Sequence, residues 1–267
     1  MQDLATIKSR QQQAWATGDY TMIGVSTVLV SELLCEAVDI RASHKVLDVA
    51  TGSGNTALAA ARRSADVTGI DYVPALLERG RERAAAERLQ VVFQAGDAEN
   101  LPFPEAAFDV VLSTFGVMFA PNQEKAASEL LRVCSPGGKI GLASWTPEGF
   151  SGENFRLTAT YLAPLPGLKP PTRWGTEEGL RNLFGNAITS LQARRCHVVF
   201  RARSAQQYVT LTRTYLGPVM KVFEGLTSEA QASLQHDLVE NIRRFNRSGD
   251  ETMSVPAEYL EVVASRR

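Results

Sequence analysis

Cysteine and histidine are scarce in this chain, and neither sign of charge is in excess. The three cysteines, Cys35, Cys134 and Cys196, stand far apart with no C-x-x-C spacing. They read as reduced thiols in a reducing compartment, which excludes a disulfide framework and a cysteine-based metal site. Lys and Arg number 28 against 29 Asp and Glu, giving a formal net charge of -1, and the pI is near 6.3. A nucleic-acid binder carries a clustered basic face, so no nucleic-acid partner is expected. No apolar run approaches the roughly 20 residues of a membrane span, and the opening MQDLATIKSRQQQAW is too polar for a signal peptide. A cytoplasmic protein without a membrane partner is expected, as a monomer or homodimer. Internal repeats and low-complexity tracts are missing too. A chain of 267 residues without these features can bury one α/β core with a helical appendage, and suits a small, neutral or apolar substrate.

The stretch from Lys45 to Leu58, KVLDVATGSGNTAL, organises the rest. Val46, Leu47 and Val49 form the apolar run of a buried parallel strand. Thr51, Gly52, Ser53 and Gly54 permit a tight turn, and the alanine-rich NTALAAARR favours a helix. Without a Cβ, the turn admits a ligand close to the backbone, beside the unpaired first N–H groups of the helix. Two cofactor classes use such a turn. Gly52, Gly54 and Ala57 satisfy the dinucleotide pattern G-x-G-x-x-G/A, with Asp71 closing the next strand, VTGID. Asp48 decides between them: a carboxylate before the glycines repels a pyrophosphate and attracts a ligand bearing an ammonium and a sulfonium. S-adenosylmethionine is such a ligand.

Two helices, over residues 4–16 and 25–38, precede the first strand, and Leu29, Leu33, Leu34, Ala37 and Val38 mark the face of the second that packs on the sheet. Trp15, Tyr20 and Met22 between them either anchor the segment by burial or close it over the cofactor as a lid. Strands end at Asp71 and Asp97; VVLSTF and KIGLASW supply two more, with helices from Pro74 to about Arg88 and from Gln123 to Cys134 and a turn at Ser135-Pro136-Gly137-Gly138. The mixed charges at Glu78, Arg79, Arg81, Glu82, Arg83, Glu87 and Arg88 read as a solvated face. This alternation means a doubly wound α/β sheet with ligands at the carboxyl ends of its strands. Residues 146–187 are Gly- and Pro-rich and irregular. ITSLQARRCHVVFRAR, helices over 205–223 and 228–245, and AEYLEVVAS follow, with a late strand pair returning antiparallel. The organisation is therefore an N-terminal lid (1–44), a cofactor core (45–145), and remaining strands with a substrate cap (146–267).

VLDVATGSGN, VTGID, GDAENLPFPEAAFDVV and ELLRVCSPGGKI, occurring in that order between about Val46 and Trp145, resemble the class I S-adenosylmethionine-dependent methyltransferases. The nearest group is the ubiquinone/menaquinone-biosynthesis type, or methyltransferase type 11. The chain departs from it in lacking the quinone enzymes' tyrosine-rich N-terminal stretch and in carrying Ala50 where many members have glycine. The resemblance implies a seven-stranded, mostly parallel, Rossmann-like sheet, with S-adenosylmethionine as cofactor and S-adenosylhomocysteine as product. It implies that Asp48 holds the methionine ammonium with help from Ala50 and Ser113, while Gly52 and Gly54 pass close to methionine and ribose. Asp71 would accept the ribose hydroxyls, Tyr72 and Leu101 would sandwich the adenine, and Asp97 and the Ala98 N–H would pair with its edge. Asn55, Glu99 and Phe115 complete the implied set.

Methyl transfer needs an in-line approach in a dry pocket more than it needs side-chain chemistry. Phe115, Val117, Met118 and Phe119, just after the fourth strand, form either the floor of that pocket or ordinary core. Tyr20, Trp145, Trp174 and Tyr215, with Arg173 and Arg213, are the candidate acceptor contacts. A base is needed only for a protonated nucleophile. His44 lies on the wrong edge, His197 in a strand and His236 on a surface helix, which leaves Tyr20, Tyr215 and Glu153 and no assignment. The small-molecule methyltransferase reading stands beside two others. One is an NAD-dependent oxidoreductase, opposed by Asp48 and by the lack of a Tyr-x-x-x-Lys pair; the other is a cofactor-binding protein that catalyses nothing.

Overall fold

Apolar runs of four to seven residues separated by helices build a parallel sheet buried on both faces. The structure, a computed structural model, describes residues 4–162 and 167–267. The first three residues of the opening segment and residues 163–166, which include the start of LPGLKPP, lie outside them. Strands β1 (Lys45–Val49), β2 (Asp66–Asp71), β3 (Val92–Ala95), β4 (Phe108–Thr114), β5 (Cys134–Trp145), β6 (Ile188–Ala202) and β7 (Met253–Arg266) form one sheet in the order β3-β2-β1-β4-β5-β7-β6. Val46, Leu47, Val49, Val111 and Leu112 are wholly buried, as a strand covered on both faces requires. Strands β1 to β5 pair in parallel. The late strands differ from the expected antiparallel pair. Strand β7 runs antiparallel to both β5 and β6, so the two reversals cancel and β6 points the same way as β1 to β5. The order reverses between β1 and β4, where an open α/β sheet leaves a crevice.

Helices α1 (Leu4–Trp15), α2 (Thr21–Gly24) and α3 (Val28–Ala37) precede β1; α4 (Asn55–Arg62), α5 (Pro74–Glu87) and α6 (Gln123–Val133) connect the parallel strands. The buried face of α3 is Val30, Ser31, Leu34 and Cys35, continued by Val38, whereas Leu29 and Leu33 are exposed. The predicted face was rotated because the apolar residues run nearly around the helix, so periodicity alone does not select a side. Arg83 does not belong to the solvated face of α5. Its guanidinium donates to the Ser53 carbonyl and to Asn55 Oδ1, both at 2.7 Å, and so braces the glycine turn from beneath. Residues 135–138 lie inside β5, where Gly137 takes a φ of 76°; the expected turn is an irregularity in the β4–β5 pairing.

Beyond β5, α7 (Phe150–Ala159) and α8 (Glu177–Phe184) lead to β6, and α9 (Ala205–Tyr215), α10 (Gly217–Glu224) and α11 (Ser228–Phe245) stand between β6 and β7. The expected single helix over 205–223 breaks at Leu216, which is extended (φ −91°, ψ 100°). Pro218 has no N–H to continue the ladder. At Gly217 a Cβ would lie 1.9 Å from the Ala14 carbonyl oxygen and 2.3 Å from that of Thr17. Only glycine lets the end of α1 seat against this break. Burial pushes the Cys35 and Cys134 thiols up to about 12, and all three cysteines are free. No helix among the described residues is long and apolar enough to cross a membrane.

Candidate active site

Two cavities meet at the crevice between β1 and β4. The first, ≈ 100 Å³, lies over the carboxyl ends of β1, β2 and β4 and is lined by Asp48, Ala50, Gly52, Asn55, Asp71, Tyr72, Asp97, Ala98, Glu99 and Phe115 among others. Asp48 is 1% exposed, and its Oδ2 accepts from the Thr51 hydroxyl at 2.5 Å and the Ala57 N–H at 2.9 Å. Burial pushes this carboxyl up to about 7 against the pull of those bonds. Among the described residues no ion pair reaches it. Asp71, 5% exposed, accepts from the Gly52 N–H through Oδ2 and the Val73 N–H through Oδ1, both at 2.9 Å. Burial raises it to about 6, opposed by those backbone donors. Each carboxylate retains lone pairs for a ligand.

Two of the six described positive-φ residues other than glycine line this cavity. Ala50 and Phe115 both adopt positive φ, at 54°, a conformation that costs a residue with a Cβ roughly 1–2 kcal/mol. A Cβ at Gly116 would fall 2.6 Å from the Ala50 carbonyl oxygen, so the β1 and β4 loops are held in contact. The glycine that the family resemblance leads one to expect at position 50 would suit this left-handed conformation. A chain of hydroxyls links Ser31 to Thr56 at 2.9 Å and Thr56 to Thr114 at 2.8 Å along the cavity wall. Single polar residues on three separate elements left no signal for this chain in the sequence.

The N-terminal segment closes over the cavity. Lys8 pairs with Asp97 at 2.6 Å and with Glu99 at 2.5 Å, and Gln12 Nε2 donates to the Tyr72 carbonyl at 2.5 Å. Asn55 Nδ2 donates to the Gly24 carbonyl at 2.8 Å, which ties α2 to the start of α4. The sequence reading did not anticipate Lys8 or Gln12; they sit on a polar helix with nothing to set them apart from a solvated face.

The second cavity, ≈ 370 Å³, lies beyond the first, between the sheet and α1, α7, α9, α10 and α11. Both cavities are lined by Trp15, Tyr20, Thr27, Phe115 and Phe119, so these residues frame the passage between them. The rings form two groups: Trp15 lies 5.7 Å from Tyr20 and 5.3 Å from Phe119, and Phe119 lies 5.7 Å from Phe155, while Phe115 stacks on Trp145 at 3.7 Å. Burial raises the Tyr20 hydroxyl to about 12, with a contribution from Asp71.

Several predicted residues stand elsewhere. Gly54 and Ser113 line neither cavity. Gly54 is glycine because a Cβ would meet the Phe93 ring at 2.8 Å. Ser113 Oγ donates to the Val49 carbonyl and accepts from the Val117 N–H, joining β1 to the β4 loop. Leu101 is buried core and does not line the first cavity, whereas Leu76 does. Val117 lines the first cavity, whereas Met118 is core at 1% exposure. Trp174 is wholly buried against Phe184. Tyr215 contributes its carbonyl, to the Asp19 N–H, and lines neither cavity. Arg173 pairs with Glu124, and Arg213 bonds Gln231 and Gln235. Glu153 pairs with Arg156, and neither it nor any of the three histidines lines a cavity. Of the cap residues named from the sequence only Trp145 lines the second cavity, where Phe150, Phe155, Phe200 and Tyr208 also sit.

With this architecture in view, the relatives fit. Residues 46–138 match the family described as a methyltransferase domain. An uncharacterized protein of Mycobacterium tuberculosis is 36% identical over 267 residues, covering 98% of this chain and 96% of its own length. The demethylmenaquinone methyltransferase of Thermus thermophilus is 38% identical over 138 residues, 49% of this chain and 63% of that one. In fold, the YcgJ protein of Bacillus subtilis superposes with a TM-score of 0.62 at 20% identity, covering 89% of this chain and 98% of that one. The BH2331 protein of Bacillus halodurans gives 0.64 at 21%, covering 88% and 97%. The chain belongs to the class I S-adenosylmethionine-dependent methyltransferases, and it is an enzyme of that class.

Proposed function

We propose that this enzyme methylates a small-molecule acceptor held in the second cavity, using S-adenosylmethionine held in the first. The observation that carries the reading is Asp48, a buried carboxylate with no cationic partner among the described residues, placed where a ligand's positive charge would complete it. Asp48 takes the methionine ammonium. Asp71 takes the ribose hydroxyls while the Gly52 and Val73 N–H groups hold it in place. Tyr72 and Leu76 flank the adenine, and Asp97 and Ala98 face its edge, with Asp97 shared between adenine and Lys8. The set of acceptors suits a cation and a ribose, whereas a pyrophosphate would meet Asp48, Asp71, Asp97 and Glu99, and Lys8, the one basic side chain among the described lining residues, is already paired with two of them.

When bound, the cofactor supplies an electrophilic methyl group on a sulfonium. An acceptor's lone pair held in line would take that methyl while the carbon–sulfur electron pair stays with sulfur, and any proton on the acceptor would leave to bulk solvent as the product departs. The chain's own part is to exclude water with the rings of Trp15, Phe115 and Phe119 and to fix the line of approach. Tyr20, raised by burial to about 12, stays protonated and is available as a hydrogen-bond donor to the acceptor rather than as a base.

Calorimetric titration with S-adenosylhomocysteine beside NAD in the same buffer tests the reading. Stoichiometric binding of the homocysteine product alone is expected. Binding of NAD alone would overturn it.

A further inference from the structure

The second cavity specifies more than the presence of an acceptor. Thirty residues line it, yet among these described residues there is no Asp, Glu, Lys, Arg or His. A cavity of ≈ 370 Å³ falls in the range that encloses ligands of several rings. A buried ionised group without a counter-charge is strongly disfavoured, so a carboxylate or phosphate on the acceptor would be rejected. Several of the polar side chains present are satisfied within the protein: the Thr212 hydroxyl donates to the Tyr208 carbonyl, Ser26 to the Ile23 carbonyl, and Asn154 accepts from Asn241. Gln11 Oε1 is buried with no hydrogen-bond partner, and Gln11 lines this cavity alone. Because Gln11 lines the cavity, a turn of its amide would present this unpartnered oxygen to a ligand's donor.

We propose that the acceptor is an uncharged, hydrophobic molecule of several rings carrying a hydroxyl or N–H group that donates to Gln11 Oε1. The inference rests on the methyltransferase reading only for the word acceptor; the ligand class follows from the cavity itself. The aromatic wall of Trp15, Phe119, Phe155 and Trp145 packs against the hydrocarbon body, and the donor end lies toward α1.

Nile red, an uncharged four-ring dye whose fluorescence rises in apolar surroundings, reports occupancy. It should bind the full chain one to one. Val222→Trp on α10 and Thr158→Trp on α7, each filling the cavity from a different side, should weaken the dye at least about tenfold while S-adenosylhomocysteine affinity, measured by calorimetry, stays unchanged and reports that the variant is folded. Three matched competitors then read charge and donor. 2-Naphthol should displace the dye at least about tenfold better than 6-hydroxy-2-naphthoic acid, and several-fold better than 2-methoxynaphthalene. Gln11→Met should abolish the second difference and leave the first. Equal displacement by the acid, or no dye binding by protein that binds S-adenosylhomocysteine, overturns the proposal and spares the enzyme class. An unaltered preference for the naphthol in Gln11→Met removes Gln11 from it. Dye binding without S-adenosylhomocysteine binding would sink the cofactor assignment and leave the cavity's ligand class standing.

Discussion

The two cavities are built by opposite means. The first is walled by loops at strand ends, and its determinants are few, polar and buried: Asp48 and Asp71 are each fixed by backbone or hydroxyl donors within 2.9 Å. The second is walled by helices outside the parallel core, and no single residue dominates it. A buried carboxylate must be placed to a fraction of an ångström because its hydrogen bonds are short and its desolvation is costly. An apolar wall needs only the right volume and tolerates many sequences. The difference teaches where constraint lies: the first cavity is dictated by electrostatics and the second by shape.

Asp71→Ala tests that division most severely. Each charged hydrogen bond lost costs about 1.5–3 kcal/mol, so S-adenosylhomocysteine affinity should fall at least about tenfold with Nile red binding unchanged; a parallel fall in dye binding would show that the cavities are not separable. Next comes pH. Asp48 is raised to about 7 and Asp71 to about 6 in the folded protein, above their unfolded values, so both retain protons that the unfolded chain has released. Stability of the free protein should therefore decline as pH rises from about 4 to 7. Binding of the cationic ligand draws the ionised form, so affinity should drop up to about tenfold per unit as pH falls below 7. Calorimetry in buffers of different ionisation enthalpy should register proton release near pH 6.5, and Asp48→Asn should flatten the profile. A profile already flat in the unaltered protein would remove Asp48 from ligand contact.

Smaller effects sharpen the boundary. Lys8→Met cuts the ion pairs to Asp97 and Glu99, which are partly exposed and worth about 1 kcal/mol or less. Stopped-flow release of S-adenosylhomocysteine should quicken by about threefold; an unchanged rate would mean that α1 does not restrain the cofactor. Ala50→Gly relieves the positive φ and should stabilise the protein by about 0.5–1 kcal/mol in a urea melt, since glycine's greater unfolded-state entropy offsets part of the gain. A loss of stability would locate the strain elsewhere.

The same contrast explains what the sequence made legible. The parallel strands, the glycine turn and the acids at strand ends were readable because period, turn chemistry and charge are local properties. Asp48, Asp71, Tyr72, Asp97 and Ala98 consequently all lie on the first cavity. The acceptor wall was mostly missed. Phe150, Phe155, Phe200 and Tyr208 come from three elements that meet only in three dimensions, and Trp174, named as a candidate acceptor contact, is core. Arg83 escaped for a similar reason, since its partners lie 28 and 30 residues away. The break at Leu216 was in fact written in the chain, as Gly217-Pro218.

That break carries a consequence for both cavities. The carbonyls of Ala14 and Thr17 occupy the space beside Gly217, and an isolated bridge joins Gly18 to Leu216, so the N-terminal arm and the α9–α10 corner are one mechanical unit. Trp15 and Tyr20 on that arm wall both cavities. A displacement of that arm would therefore shift a wall of both cavities at once.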